Sequence, residues 1–213
     1  MQEEVQRLLS ERRFDPSITP QLEAYVDEQI KGGYTDLDAN LALLRFYQYN
    51  PATANSEVVC KILVKALMQM PATDFMLCMY LVPGAVKEQK IEVLKQLSDK
   101  LETCQFKEYW ADMADEKNAS VANGIPGFHE AIRQYIVGVI SATYQVIARD
   151  ELEILINLKG AQLDQLLEEK KWVAKGSDVQ IPVNEFNEAS VKFKQDGISF
   201  DQLAPIIVST AGL

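Results

Sequence analysis

The residues of this chain that could do chemistry are few, and their spacing suits none of the usual reactions. His129 is the single histidine. No His-rich metal site can form, and any Ser-His or Cys-His catalysis would rest on that one side chain. It lies two positions after Gly127, at the expected start of a helix, where a surface or capping role accounts for it. Asp36-Leu37-Asp38-Ala39-Asn40 opens like a calcium loop. Its sixth position is Leu41 instead of glycine and its twelfth is Tyr47 instead of glutamate, so the tight turn and the bidentate ligand are both missing. Carboxylates at a helix N-terminus explain these aspartates better. Cys60, Cys78 and Cys104 are odd in number, lack ligand spacing and fall in helical patterns, as free thiols of a reducing compartment would. No glycine-rich phosphate loop, nucleophile elbow or paired-cysteine zinc motif occurs. The expectation is a non-enzyme without metal or cofactor.

The elements that would position any site begin in the last third. Phe128, Ile132, Tyr135, Ile136, Val139, Ile140, Tyr144 and Ile147 recur at helical spacing and predict one long helix. A short amphipathic stretch follows, with Asp150 as N-cap, Leu152, Leu155 and Ile156 on one side, and a stop at Gly160. A second short helix carries Leu163, Leu166 and Leu167. Trp172-Val173-Ala174 and Val179-Gln180-Ile181-Pro182-Val183 flank the turn cluster Lys175-Gly176-Ser177-Asp178 and predict a hairpin. Helix, helix-turn-helix and hairpin in this order make a winged helix.

Charge decides what such a module reads. Ala161 to Lys171 holds Asp164, Glu168 and Glu169 against Lys170 and Lys171, a formal charge of −1. A DNA-reading helix needs cations for phosphate and donors for base edges. The whole chain agrees: 21 basic and 31 acidic residues give a net charge of −10, without a basic arm or acidic tail. Direct DNA binding and nonspecific attraction to anionic membranes are disfavoured, and a protein partner is expected. The first four residues do not resemble a signal peptide, and no run approaches the ~18 apolar residues that cross a bilayer.

Upstream, seven apolar stripes predict seven helices. They run through Val5 and Leu9; Leu22, Val26 and Ile30, from Pro20 to Gly32-Gly33; Leu37, Leu41 and Leu44, capped by Thr35; Val59 to Met70; Phe75 to Met79; Ile91 to Leu101; and Phe106 to Met113. Short helices with breaks of a few residues pack as stacked hairpins of the HEAT kind, although the letters show no fixed repeat period. The polar stretch Ala114 to Pro126 loses helical periodicity and marks a boundary. The expected fold is therefore mostly α: a HEAT-like helical domain over 1–120, a winged helix with a small β-hairpin over 125–190, and a C-terminal tail with a short helix over 191–213.

Three surfaces are candidates for a partner. Val179, Ile181 and Val183 form an apolar strand face that serves either the core or an interface, with the strand edge free for backbone pairing. Phe200, Leu203, Ile206 and Ile207 form a stripe in the tail, with Pro205 in the first turn if Ser199 or Asp201 caps the helix. Folding back onto the core is the favoured use of that stripe, because exposed apolar ends reduce solubility; binding a neighbour is the other. Met68, Met70, Met76 and Met79 surround Phe75 on helical stripes, which suits core packing, with a soft binding surface as the alternative.

The letters also carry a resemblance. QLEAYVDEQIKGGYTDLDANLALLRFYQYNP from Gln21, KILVKALMQMPATDFMLCMYLVP from Lys61, LETCQFKEYW from Leu101 and IPGFHEAIRQYIVGVISATYQVI from Ile125 closely resemble the subunit k family of eukaryotic translation initiation factor 3. Tyr34 to Pro51 is the most distinctive match. The resemblance implies a PCI-type arrangement of HEAT-like helices and winged helix, as in subunits of the proteasome lid and the signalosome. It further implies a non-catalytic scaffold subunit acting in protein synthesis on the small ribosomal subunit, with subunit l as direct neighbour, in the cytoplasm with a nuclear pool open. A winged helix touching ribosomal RNA, or a subunit of a related PCI assembly such as the proteasome lid, are the alternatives.

Overall fold

The computed structural model describes residues 1–84, 86, 89–189 and 200–211 and, within the last segment, the side chains of 203–210. Helix α1 (Gln2–Arg12) buries Val5 and Leu9. Asp15 then caps a single 3-10 turn by accepting from the Ser17 N–H at 2.9 Å. Helix α2 (Thr19–Gly32) begins with Pro20 in its first turn, where the missing N–H costs nothing. It ends at Gly33, whose φ of 70° suits a residue without Cβ. Gly32 serves differently, since a Cβ there would lie 2.5 Å from the Tyr34 ring.

Helix α3 (Leu37–Tyr49) is capped by Asp36 and not by Thr35: its carboxylate accepts from the Ala39 N–H at 3.1 Å. Helix α4 (Ser56–Leu67) is capped by Asn55, and α5 (Asp74–Leu81), α6 (Gln89–Glu102) and α7 (Phe106–Met113) follow. The seven stripes thus form seven helices. Cys60 and Cys78 are buried in α4 and α5, where burial pushes the Cys78 thiol up to about 12 and removes it as a nucleophile. Cys104 departs from expectation: it is exposed in the α6–α7 turn, at φ 59°.

The polar stretch after α7 forms a four-residue helix, α8 (Glu116–Ala119), and a 3-10 turn, with Val121 and Ile125 buried. One continuous apolar cluster runs from Val5 to Ile181.

Helix α9 (Phe128–Thr143) is shorter than its stripe. Tyr144 leaves it with extended backbone, and Ile147 lies in strand β1 (Val146–Ala148). The β-formers Val146 and Ile147 find partners that a helix would deny them. Arg149 opens α10 (Arg149–Ile156), so Asp150 sits in its first turn and is not the cap; the helix ends at Asn157 in the left-handed region, three residues before Gly160. Helix α11 (Ala161–Lys170) leads to strands β2 (Val173–Lys175) and β3 (Asp178–Gln180), joined by the two-residue turn Gly176-Ser177. The sheet is antiparallel, in the order β1-β3-β2. A mostly α protein with a winged-helix order is therefore observed, and the expected hairpin gains a third strand. Helix α12 (Phe200–Ala211) closes the described residues.

Candidate protein interface

The sheet sets which strand surfaces are free. Strand β3 is central, with Val179 opposite both Ile147 and Ala174, so its edges are used on both sides. Among the described residues the unpaired edges are those of β1 and β2, contrary to an edge offered by the strand that carries Val179. Every residue of β2 is exposed, as are Val146 and Ala148 of β1. Val179 and Ile181 lie fully inside, against the winged-helix core, whereas Val183 is 61% exposed. The alternation marks one apolar face, and the structure divides it: two side chains cover the core and the third reaches solvent.

Just beyond Val183 the chain is clamped, which the sequence reading missed. Asn184 Nδ2 donates to the Ser141 carbonyl at 2.8 Å, and Asn187 Nδ2 donates to the Tyr144 carbonyl at 3.1 Å and to that of Pro182 at 3.0 Å. At Ser141 and Tyr144 these amides occupy carbonyls at the end of α9 that the helix leaves without partners. Two asparagines three apart after Pro182 were the available signal. The clamp holds residues 184–187 against the end of α9.

Leu203, Ile206 and Ile207 of α12 are exposed, Ile206 by 59%, so the expected fold-back onto the core is not observed. The helix is amphipathic, and a stripe of this kind buries itself only against a matching surface. Phe200 opens the helix with its side chain outside the described residues, as is the cap expected at Ser199. Pro205 lies in the second turn, not the first.

Helix α11 carries no cationic reading face. Arg149 reaches from α10 to Asp164 at 2.7 Å and to Glu153 at 3.5 Å, tying the two helices of the turn together. Lys170 pairs with Glu169 at 3.0 Å, and Lys171 lies beyond the helix end at φ 58°. The adjoining groove is lined by Gln162, Gln165, Glu169, Glu130 and Arg133, where two carboxylates oppose phosphate and one guanidinium favours it.

The other sequence candidates are structural. Asp36 caps α3 and accepts from the Tyr25 hydroxyl at 3.1 Å, while Asn40 is buried against Gln29. Among the described residues no group of three His, Cys, Asp or Glu could hold a metal ion, and no helix is long and apolar enough to cross a membrane. His129 is largely exposed but lies against the Trp110 ring, centroids 6.3 Å apart, and this partial burial, followed by the nearby Arg133 charge, holds its pKa below the ordinary value. Met68, Met70 and Met79 pack on the core, whereas Met76 is 46% exposed.

The model of the CSN8/PSMD8/EIF3K family matches residues 53–192, from the turn before α4 through the winged helix and the asparagine clamp. The chain belongs to this family. Similar proteins within it extend the likeness over almost the whole length. The eukaryotic translation initiation factor 3 subunit K of Nematostella vectensis is 38% identical over 92% of this chain and 91% of its own length. That of Anopheles gambiae is 36% identical over 95% and 91%, and that of Homo sapiens 37% over 93% and 91%. The family match thus spans β1, β3 and the clamp, while the capped entry to α3 lies in the part that only the subunit K relatives cover.

Proposed function

We propose that this chain is a non-catalytic scaffold subunit of eukaryotic translation initiation factor 3, acting in initiation on the small ribosomal subunit through protein contacts. The observation that carries this reading is identity of 36–38% to proteins named subunit K, over 92–95% of the chain. The chemistry supports it: His129 lies against Trp110, Cys60 and Cys78 are buried in helices and Asp36 caps α3, so each of these has a structural use, whereas Cys104 is an exposed thiol in a turn. The expected division into residues 1–120, 125–190 and 191–213 belongs to the same reading. Subunit l is the proposed direct neighbour, and the cytoplasm, with a nuclear pool, the proposed location.

Two surfaces are suited to the assembly. The exposed edges of β1 and β2 offer backbone groups for pairing with a strand of another subunit. The α12 stripe of Leu203, Ile206 and Ile207, with Phe200 at its start, offers an apolar face, and Val183 lies beside the clamp from which the chain departs; Val179 and Ile181 back the sheet from within. Purification of the tagged full chain from cells, with identification of its stable partners, tests the reading. Recovery of the other initiation factor subunits is expected, and recovery of a proteasome-lid assembly in their place would overturn it. Ribosomal RNA binding by the isolated chain with a steep salt dependence would favour the nucleic-acid alternative.

A further inference from the structure

Helix α5 has more apolar surface than the core uses. Its sequence, DFMLCMYL, buries Phe75 and Cys78 inward, yet Met76, Leu77 and Tyr80 face outward, Tyr80 with 74% exposure. Beside it runs a groove of about 310 Å³ whose floor and near wall are Met76, Met79 and Tyr80. The far wall is polar: Lys95, Asp99 and Glu102 of α6. Spacings of four and three place these three along one face, and Lys95 and Glu102 stand about 10 Å apart, two turns. Glu102 accepts from Ser98 Oγ at 3.0 Å, and neither Asp99 nor Glu102 is in an ion pair among the described residues.

We propose that the α5–α6 groove is a docking site for one amphipathic helix of a partner protein. Its apolar stripe lies on Met76, Met79 and Tyr80, an acidic residue meets Lys95, and basic residues about one and two turns later meet Asp99 and Glu102. An apolar wall facing a charged wall is the form that receives a helix with one apolar face, and methionines adapt their shape to it. The charge order fixes direction: acids favour the N-terminal turn of a helix and bases its last turn, so the occupant runs parallel to α6. The net charge of −10 opposes a second copy as occupant. This surface is separate from the sheet edges and from α12, and it does not depend on which assembly holds the chain.

The test uses the full chain and two synthetic helical peptides of about 15 residues with identical leucine stripes. One carries Glu early and Lys late; the other has them exchanged. Titrations into isotope-labelled protein, followed by amide shifts, give affinity and location. The first peptide is expected to bind about tenfold more tightly, the sum of several exposed charge contacts, with shifts centred on α5 and α6. The combined Lys95→Glu, Asp99→Lys and Glu102→Lys variant reverses the order, and Tyr80→Asp weakens both peptides about tenfold or more; these residues are exposed, so an unchanged melt verifies folding. Equal affinities, an unreversed order, shifts elsewhere or no binding would each overturn the proposal. So would a dimer in sedimentation that Tyr80→Asp abolishes, which would give this face to a second copy.

Discussion

The indole Nε1 of Trp110 donates a 2.8 Å hydrogen bond to the main-chain carbonyl of Leu155. The donor sits on α7, the last long helix of the array, and the acceptor in the last turn of α10 within the winged helix. Arg133 of α9 lies over the same ring, 5.4 Å from its centroid. One side chain therefore fastens two elements of the winged helix to the helical array.

Trp110→Phe keeps most of the packing and removes the bond and much of the cation–π attraction. A loss of about 1–3 kcal/mol is expected, seen as a melting midpoint lowered by several degrees in calorimetry. A midpoint unchanged within about 1 °C would show that the bond contributes nothing.

Helix ends supply a stabilising test. Cys104 and Lys171 occupy the left-handed position after α6 and α11, at φ 59° and 58°. The following N–H groups close back on the helices: Gln105 to the Lys100 carbonyl at 2.8 Å and Trp172 to that of Leu167 at 2.8 Å. Glycine prefers this place. Cys104→Gly and Lys171→Gly should each raise stability by about 0.5–1 kcal/mol, and urea titration measures it.

Gln29 and Asn40 exchange buried amide hydrogen bonds of 2.9 and 3.2 Å, and Gln29 Oε1 also accepts from the Asp36 N–H at 2.8 Å. Asn40→Ala strands the Gln29 donor and should cost about 1–3 kcal/mol. Adding Gln29→Ala should cost less than the sum of the single changes, a coupling of about 0.5–3 kcal/mol in a double-mutant cycle. Additive costs would contradict the pairing.

The imidazole of His129 should titrate below the ordinary value of about 6.5, because partial burial and then the Arg133 charge disfavour its protonated form. The folded pKa is depressed, so this contribution to stability is present above the ordinary value and is lost as pH falls through the lower folded one. Since the chain has one histidine, its imidazole proton resonance is assignable directly, and Arg133→Gln should move the midpoint upward.

Deleting residues 200–213 should leave the thermal midpoint unchanged while weakening capture of the proposed neighbour, subunit l, given the exposure of Leu203, Ile206 and Ile207. A lowered midpoint with intact capture would return α12 to the core.

Seven upstream helices and the helix-turn-helix were legible because their apolar residues recur at 3.6-residue spacing, which survives without knowledge of neighbours. Strand β1 was not. Ile140, Tyr144 and Ile147 continue the stripe of α9, and only pairing with β3 reveals the change. Local competition also hid the caps, since Thr35 and Asp36 are both good candidates and geometry selects the carboxylate. The alternation of Val179, Ile181 and Val183 was readable, but which of them faces solvent depends on where the strand ends. The outward face of α5 was legible only as an alternative to core packing for a related reason: Met76 and Leu77 have the letters of a core.

The strand order has a consequence for when this protein can fold. Ala148 pairs with Asp178, 30 positions later, and Val146 with Gln180. Helices α2 to α7 rest mainly on near neighbours in the chain, so they can close as they emerge during synthesis. Strand β1 emerges long before its partner and has no ladder until β3 appears. The winged helix is therefore completed only when the last strand arrives, and a chain ending before Asp178 would hold the helical array with β1 left unpaired.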